Sequence, residues 1–336
     1  MNEAIRIFRD LDKTYDLHVM WSVHNKCNYS CSYCPDELHN GSMGWLKLDE
    51  IKLFVEHLLS HYKHKLNFKN FLFSFTGGEP TLWKDFKPFV QFLMNKGIRV
   101  GLTTNGSVAP HFWDNIVECF DYICLSFHPE SASKEKFLKV YKRLHDDPHS
   151  VTPSIRVMMP SEDESWDKSV SLIEDIKKFD NYSYECIHIL KNYGKGSEKI
   201  EYESKEKREF LEKNAFVAHF TNNEILPVPL LGFDHYKVEY KNGKIEQLHE
   251  NKLINNNQVN FKDWKCYIGV EQLFVHFTGV VKTSGCAMGE ELGNLRWPNL
   301  ITYPSEPVIC KLKGCYCPTD VRISKSIQGL ELPQPV

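Results

Sequence analysis

The sequence predicts an α/β fold in which one face of a parallel sheet lines a cavity. Six short segments show the period-two hydrophobic alternation of β-strands, and segments with the period of an amphipathic helix separate them. In each strand segment one face is bulky and apolar, and the other is small or polar. Helices on both sides of a parallel sheet would make both faces apolar, so the polar face is predicted to border a cavity.

These elements follow one another from residue 17 to about residue 190. Strands are predicted over residues 17–23, 71–76, 98–105, 122–128, 154–159 and 186–189. Helices are predicted over residues 48–64, 83–96, 110–119, 134–144 and 165–179. In such a sheet the chemistry is expected at the carboxyl ends of the strands.

The loop after the first strand carries a C-x3-C-x2-C array made of Cys27, Cys31 and Cys34. Three soft thiolates can hold three irons of a cubic [4Fe–4S] cluster and leave the fourth iron open to another ligand. A structural zinc site is the alternative and requires a fourth Cys or His at close spacing. His24 and His39 flank the array, but neither lies at such a spacing.

A second motif, Thr76-Gly77-Gly78-Glu79-Pro80, stands about forty residues further on, where the second strand ends. Together with the cysteine array, in which Tyr33 precedes the last cysteine, it resembles the signature of radical S-adenosylmethionine (radical SAM) enzymes. The resemblance implies a partial (β/α)6 TIM-like barrel over residues 1–225. It also implies a SAM-binding [4Fe–4S] cluster held by the three cysteines.

The resemblance further implies that Glu79 and the Gly77 and Gly78 backbone meet the SAM ammonium. Arg156, predicted to face the cavity, requires a carboxylate partner, which is either SAM itself or a protein acid such as Glu130. The full set of predicted cofactor contacts comprises Tyr33, Thr76, Gly77, Gly78, Glu79, Pro80, Thr103, Asn105, Ser126 and Arg156.

Three further side chains are candidates for chemistry on the substrate. The period-two count directs His128, Cys186 and His188 into the cavity. A histidine could act as a base, and a cysteine could give a hydrogen atom to a substrate radical. The alternative is that all three are ordinary cavity-wall side chains.

A second group of cysteines lies near the C-terminus and consists of Cys266, Cys286, Cys310, Cys315 and Cys317. A hairpin pattern over residues 272–283, centred on Thr278-Gly279, should bring the first two together, and Lys241-Asn242-Gly243 marks another hairpin. The group resembles the twitch or SPASM-like extension of radical SAM enzymes. This implies an auxiliary [4Fe–4S] cluster, with four of the five as ligands, in a smaller α+β domain over residues 226–336. Zinc held by the same thiols is the alternative.

The amino-acid composition limits the classes of binding partner and the cellular compartment that we expect for this protein. The 41 basic and 44 acidic residues nearly balance, so the sequence lacks the excess of positive charge that is typical of nucleic-acid-binding proteins. The N-terminus lacks the apolar core of a signal peptide, and no apolar run has the length of a membrane span. The protein is therefore expected in the cytoplasm, where clustered cysteines indicate metal ligands rather than disulfides.

The resemblance implies reductive cleavage of SAM to a 5′-deoxyadenosyl radical, which takes a hydrogen atom from the substrate, with flavodoxin or ferredoxin as the electron donor. We expect crosslinking or epimerisation of a ribosomally synthesised peptide; the alternative is oxidation or epimerisation of a sugar or aminocyclitol. About sixteen residues precede the first predicted strand, too few for a leader-binding domain. This weakens the peptide hypothesis, although a separate peptide-recognition protein could supply that function. A non-enzymatic iron–sulfur or zinc protein is the remaining alternative.

Overall fold

The computed structural model describes residues 3–9, 15–191, 198–219, 236–248, 250–286 and 288–332. The strands are β1 (Ala4–Arg9), β2 (Leu17–Ser22), β3 (Phe71–Thr76), β4 (Arg99–Thr104), β5 (Tyr122–Phe127), β6 (Ser154–Met159), β7 (Tyr182–His188), β8 (Leu190–Lys191), β9 (Glu198–Lys199), β10 (Val217–His219), β11 (Tyr236–Tyr240), β12 (Ile245–Gln247), β13 (Lys265–Cys266), β14 (Gln272–Val275), β15 (Val280–Lys282), β16 (Glu291–Asn294), β17 (Val308–Ile309) and β18 (Lys325–Ser326). The helices are α1 (Leu48–Lys65), α2 (Phe86–Asn95), α3 (Lys134–His145), α4 (Asp163–Ile176), α5 (Lys205–Lys213), α6 (Glu250–Asn255) and α7 (Pro318–Val321).

The chain divides into two compact units. The first contains residues 1–21, 46–73 and 234–336, and the second contains residues 22–45 and 74–233. The domain boundary predicted between residues 225 and 226 lies outside the described residues.

The second unit contains the parallel part of the fold. Strands β4, β5, β6 and β7 are hydrogen-bonded to one another in chain order, all parallel, and β10 pairs antiparallel with β7. The helices between them bury one apolar stripe each; in α3 it consists of Phe137, Val140, Tyr141 and Leu144, at helical spacing. Ser133 begins this helix by accepting a hydrogen bond from the Lys136 amide. The predicted parallel α/β sheet is therefore confirmed.

One predicted helix is wrong. Residues 110–119 form two short 3₁₀ turns, Pro110–Trp113 and Val117–Cys119, instead of an α-helix. Asn115 lies between the turns with φ of 66°. That left-handed conformation interrupts helical hydrogen bonding, and Asn is one of the few residue types that adopts it at low cost.

The first unit contains a mostly antiparallel sheet with the strand order β12-β11-β1-β18-β13-β17. Both predicted hairpins are confirmed: β11 pairs with β12 across Lys241-Asn242-Gly243, and β14 pairs with β15 across Thr278-Gly279. Gly243 and Gly279 have φ of 78° and 89°, the left-handed values that tight hairpin turns require. Most strands of this sheet come from the C-terminal part of the chain, where the sequence predicts a smaller α+β region, and β1 joins them from the N-terminus.

Across the described ranges, every helix is too short or too polar to cross a membrane.

Candidate functional site

The cysteine loop and the glycine-rich turn lie side by side in the second unit. The Gly78 amide donates to the His24 carbonyl at 2.8 Å, and the Glu79 amide donates to the Lys26 carbonyl at 2.8 Å. A Cβ atom on Gly78 would stand 2.1 Å from the Lys26 carbonyl oxygen, and Gly77 has φ of 121°. Both glycines are therefore required for the turn to approach the loop this closely.

The three thiols of the loop are partly or fully buried, and each has a hydrogen-bond partner; Cys34 Sγ donates to the Pro35 carbonyl at 3.8 Å. The Tyr29 amide lies 3.3 Å from Cys27 Sγ, and Asn105 Nδ2 lies 3.7 Å from the same sulfur. Ser131 Oγ lies 3.8 Å from Cys31 Sγ. N–H groups directed at sulfur are typical of thiolates that bind iron and help to set its potential.

Burial raises the pKa of all three thiols, and it raises that of Cys34 to about 12, with the Cys31 and Cys27 charges adding to the effect. Without a metal the thiols would therefore stay protonated at neutral pH. A bound metal ion deprotonates a coordinating thiol outright. The donor set thus fits a site in which iron supplies the positive charge.

Within the ranges that the structure describes, no three or more Cys, His, Asp or Glu side chains converge closely enough to hold a single metal ion. A single zinc ion would require its protein ligands at one point. A four-iron cluster instead takes each thiolate on a different iron.

Glu79 is buried, with 1% of its surface exposed. Its Oε1 accepts from the Thr81 amide at 3.1 Å, from Thr81 Oγ1 at 2.6 Å and from Thr104 Oγ1 at 2.6 Å. Its Oε2 accepts from the Asn105 amide at 2.7 Å. The carboxylate therefore joins the turn after β3 to the end of β4. Its predicted contact with the SAM ammonium stays a prediction beside this structural role.

Asn105 extends the same network to the cysteine loop. Its Nδ2 donates to Asn28 Oδ1 at 3.0 Å and also approaches the Cys27 sulfur. Ser107 Oγ donates to the same Asn28 oxygen at 3.2 Å. The end of β4 thus positions the first cysteine of the array.

Arg156 forms an ion pair inside the protein. It lies beside Ser126 and Glu185 on the neighbouring strands, and its Nε donates to Glu185 Oε1 at 2.6 Å. Glu130, predicted as the alternative partner, instead accepts from the Ser32 amide and hydroxyl, each at 2.7 Å. The protein carboxylate that pairs with Arg156 is therefore Glu185. Glu130 instead holds the cysteine loop through its hydrogen bonds with Ser32.

His128 is held between two tyrosines of the cysteine loop. Its Nδ1 lies 2.9 Å from the Tyr33 hydroxyl, and the Tyr29 ring meets it edge-on with centroids 6.2 Å apart. Burial, together with the Arg156 charge, lowers the pKa of His128 to about 4. The imidazole is therefore neutral near pH 7. The structure brings this candidate to the cysteine loop, and its role toward the substrate stays a prediction.

Cys186 and His188 face away from the predicted cavity. The register of β7 places them beside Val157 and Met159 of β6, on the apolar face of the sheet. The His188 ring packs edge-on against Tyr202, with centroids 5.1 Å apart. The predicted facing is wrong because β7 carries polar residues on both faces, so alternation alone does not identify the inner one.

The remaining predicted contacts lie around these groups. Thr76 and Thr103 are half-buried at the ends of β3 and β4, and Ser126 is buried on β5. Pro80 begins a 3₁₀ turn that the Glu79 side chain caps. These residues are at the carboxyl ends of parallel strands, where the sequence predicts the chemistry.

Comparison with known proteins identifies this arrangement. The family model of the Radical SAM superfamily matches residues 21–180, the segment that holds the cysteine loop, the glycine-rich turn and Arg156. Residues 21–180 are a radical SAM domain.

Two curated relatives resemble part of this chain. One is a GTP 3',8-cyclase of Pasteurella multocida (strain Pm70), 38% identical over 90 residues, or 25% of this chain and 25% of the relative. The other is an S-adenosylmethionine-dependent nucleotide dehydratase of Selenomonas ruminantium, 33% identical over 89 residues, or 26% of this chain and 28% of the relative. The chain thus spans about a quarter of the length of these relatives.

A solved structure shares the fold. Native anSMEcpe with bound AdoMet superposes with a TM-score of 0.54 and 18% identity, covering 83% of this chain and 78% of that chain. The predictions of a radical SAM domain and of its α/β fold are thereby confirmed. The twitch or SPASM-like assignment of the C-terminal residues stays a prediction.

Outside the radical SAM domain, the first unit gathers the five C-terminal thiols. Burial raises the pKa of Cys266 to about 11, and the nearby Cys310 and Cys286 add to the rise. Burial also raises the pKa of Cys315, with contributions from Cys317 and Cys266. Cys266 and Cys315 are therefore each near other thiols of this group, and the shared metal site stays a prediction.

Asp320 lies among these thiols, and sequence reasoning missed it. The carboxylate is buried, and its Oδ1 accepts from Gln272 Nε2 at 2.7 Å and from Ser284 Oγ at 2.8 Å. Its charge raises the pKa of the Cys286 and Cys317 thiols, in each case after burial. The C-x-C-x2-D spacing after residue 314 is the one sequence signal that could have indicated it.

Other residues of the radical SAM site were also missed. Thr104 belongs to the Glu79 network although its neighbour Thr103 was the predicted contact. Glu185 could have been found from its alternation with Ser183 on β7, opposite Arg156. The Glu130 and Ser131 contacts join distant segments, so no local pattern indicates them.

Proposed function

We propose that this chain is a radical SAM enzyme that holds a [4Fe–4S] cluster on Cys27, Cys31 and Cys34 and cleaves SAM at the open iron. The observation that carries the proposal is the pair of main-chain hydrogen bonds between the cysteine loop and the Gly77-Gly78 turn. They join an incomplete metal-ligand set to a turn without side chains, which is suited to a small ligand that completes the cluster.

When bound to Cys27, Cys31 and Cys34, the cluster would pass an electron from the external donor to SAM, and this reductive cleavage would allow removal of a hydrogen atom from the substrate. The protein positions SAM and excludes water. The main chain at Gly77 and Gly78 is proposed to receive the SAM ammonium. Arg156, neutralised on one side by Glu185, is proposed to attract the SAM carboxylate, with Ser126 beside it.

His128 is proposed to orient SAM or substrate as a neutral imidazole. The Tyr33 hydroxyl engages Nδ1, so the opposite ring nitrogen is the one directed away from the cysteine loop. A pKa of about 4 makes protonation rare at neutral pH. This environment supports a hydrogen-bonding role rather than delivery of a proton from an imidazolium.

The C-terminal thiols are proposed to bind an auxiliary [4Fe–4S] cluster with four of the five cysteines. Cys310 and Cys286 add to the raised pKa of Cys266, and Cys317 and Cys266 add to that of Cys315, which supports a common site. Such a cluster would accept the electron left on the substrate after hydrogen abstraction, or would bind the substrate.

The proposed substrate is a residue of a ribosomally synthesised peptide, which would be crosslinked or epimerised. Support comes from the likeness of the C-terminal cysteine group to extensions found in peptide-modifying relatives. A separate peptide-recognition protein, a flavodoxin or ferredoxin as the electron donor, and a reducing cytoplasm belong to the same proposal.

The decisive variant is Cys31→Ala, tested by 5′-deoxyadenosine release from SAM with dithionite after anaerobic reconstitution. We expect release by the parent protein and none by the variant, with unchanged circular dichroism. Cys119→Ala, at a buried cysteine outside both thiol groups, serves as the matched control and should keep full release. Equal release by Cys31→Ala and the parent would refute the proposal.

The substrate class is tested separately with the same protein. Incubation with a candidate precursor peptide should give a mass change of the peptide and faster 5′-deoxyadenosine formation. Turnover of a sugar or aminocyclitol without any change in a peptide would replace the peptide proposal by the small-molecule alternative.

A further inference from the structure

Lys325 is a lysine buried in the core of the first unit, with 1% of its surface exposed. It lies in β18, between β1 and β13 of the antiparallel sheet. Its Nζ donates to the Asp320 carbonyl at 2.6 Å and to the Val321 carbonyl at 3.1 Å. Its ammonium also stands 4.5 Å from the centre of the Phe261 ring. All these partners are uncharged.

In the described part of the chain, Lys325 forms no ion pair with a carboxylate, whereas buried charges in proteins are normally paired or bound to metal. The neighbouring Arg322, buried to a similar degree, pairs with Glu250. The Asp320 carboxylate accepts from Gln272 and Ser284 instead. The Lys325 charge lowers the pKa of Asp320, against the larger opposite effect of burial, so this carboxylate is nearby, but it forms no ion pair with Lys325. Within the described residues the buried ammonium therefore has no directly bonded anionic partner, which points to a further anion beside it.

The sheet register shows where that anion would lie. Lys325 is directly opposite Cys266 in the antiparallel pair of β18 and β13. Directly opposed residues have Cβ atoms about 4.5–5.5 Å apart on the same face of the sheet. The Lys325 charge also lowers the pKa of Cys266 and Cys315, against the larger opposite effect of burial. The ammonium thus faces the C-terminal thiol group.

We infer that Lys325 is the buried countercharge of a metal–thiolate centre formed by the C-terminal cysteines. The inference rests on the auxiliary cluster of the proposed function and assigns to it a residue that is not a ligand. Four thiolates around a [4Fe–4S] core give a net negative centre, and its potential depends on nearby charge and hydrogen bonds. Lys325 favours both assembly of the centre and its reduction, since reduction adds a further negative charge.

The test uses the full chain with Cys27, Cys31 and Cys34 changed to Ala, so that any iron–sulfur signal comes from the C-terminal group. The protein is reconstituted anaerobically with iron and sulfide, and its midpoint potential is measured by titration followed by electron paramagnetic resonance. Adding Lys325→Met should make the potential more negative by about 59 mV, a roughly tenfold change in the reduction equilibrium. Lys325→Arg keeps the charge and should shift the potential by much less.

Lys265→Met is the matched control. Lys265 precedes Cys266 on β13, points to the opposite face of the sheet and pairs with Glu331 at 2.8 Å. Its replacement should leave the potential close to that of the parent.

An unchanged potential and iron content in Lys325→Met would overturn the inference and leave the auxiliary cluster standing. Equal loss of iron in Lys325→Met and Lys325→Arg would also overturn it, because packing rather than charge would then be responsible. Failure of the triple-alanine protein to take up iron would refute the auxiliary cluster and the inference together. Radical SAM activity is assayed separately with Cys31→Ala, so its failure is distinguishable.

Discussion

At the scale of single residues, Glu79 shows how one side chain can serve both fold and function. Four donors from three residues converge on its two oxygens, although the carboxylate is buried. Burial is the main cause that raises the pKa of Glu79, and the hydrogen bonds from Thr104 and Thr81 oppose it. The cost of burying this carboxylate is offset only while all donors are in place.

We therefore predict that Glu79→Gln destabilises the protein by about 1–3 kcal/mol, because the amide NH2 group would face donors instead of accepting from them. Urea unfolding followed by circular dichroism measures this change. Glu135→Gln is the control, since Glu135 is exposed and pairs with Lys139 one turn further along α3. A Glu79→Gln protein as stable as Glu135→Gln would contradict the structural role of the carboxylate.

For Arg156 the sequence predicts the face of the sheet that the side chain occupies, but it does not identify the acid that pairs with it. The period-two pattern predicts that Arg156 faces the polar side of the sheet, and the register with Ser126 agrees. Its partner Glu185 is distant in sequence and was not identified. Burial requires a guanidinium to have a partner, but several acids satisfy that requirement until the strands are paired.

At the scale of elements, the Gly77-Gly78 turn depends on close approach to the cysteine loop. The motif and its order along the chain are visible in the sequence. The distance of 2.1 Å from a hypothetical Gly78 Cβ to the Lys26 oxygen is a property of the folded chain alone. Any side chain at this position would force the two elements apart.

We predict that Gly78→Ala reduces 5′-deoxyadenosine release at least tenfold, since the loop that carries Cys27 would have to move. Gly44→Ala is the matched control: a Cβ atom at Gly44 would meet nothing within 4 Å. Its release rate should equal that of the parent. Parent-like release by Gly78→Ala would show that the contact between turn and loop is dispensable.

Strand β7 shows why it is harder to predict which face of the sheet a side chain occupies than to predict that a strand is present. Alternation over residues 186–189 indicates a strand, and the structure has it over Tyr182–His188. Both faces carry polar groups, however, and a choice of face based on Cys186 and His188 selected the wrong one. A shift of one residue reverses every side chain of a strand, so only pairing with β6 decides the facing.

At the scale of the whole molecule, two groups of thiols belong to two different units. Cys27, Cys31 and Cys34 lie in the second unit, and the five C-terminal cysteines lie in the first. The two metal sites of the proposal should therefore assemble independently.

We predict about eight irons per chain after reconstitution and about four in Cys286→Ala, with SAM cleavage still detectable. Analysis of iron and acid-labile sulfide measures the cluster content, and 5′-deoxyadenosine release measures SAM cleavage. Cys119→Ala should keep the parental iron content. Unchanged iron in Cys286→Ala would remove Cys286 from the ligand set, and four irons in the parent would remove the auxiliary cluster.

The sequence by itself determined the radical SAM domain, its alternation of strands and helices, and the two hairpins of the C-terminal part. These features depend on local spacing: thiols a few residues apart, apolar periodicity, and glycines at tight turns. Only the tertiary structure decided the partner of Arg156, the facing of Cys186 and His188, and the burial of Lys325 opposite Cys266. Those depend on which distant segments pair and in what register, and a one-residue difference in register changes every contact.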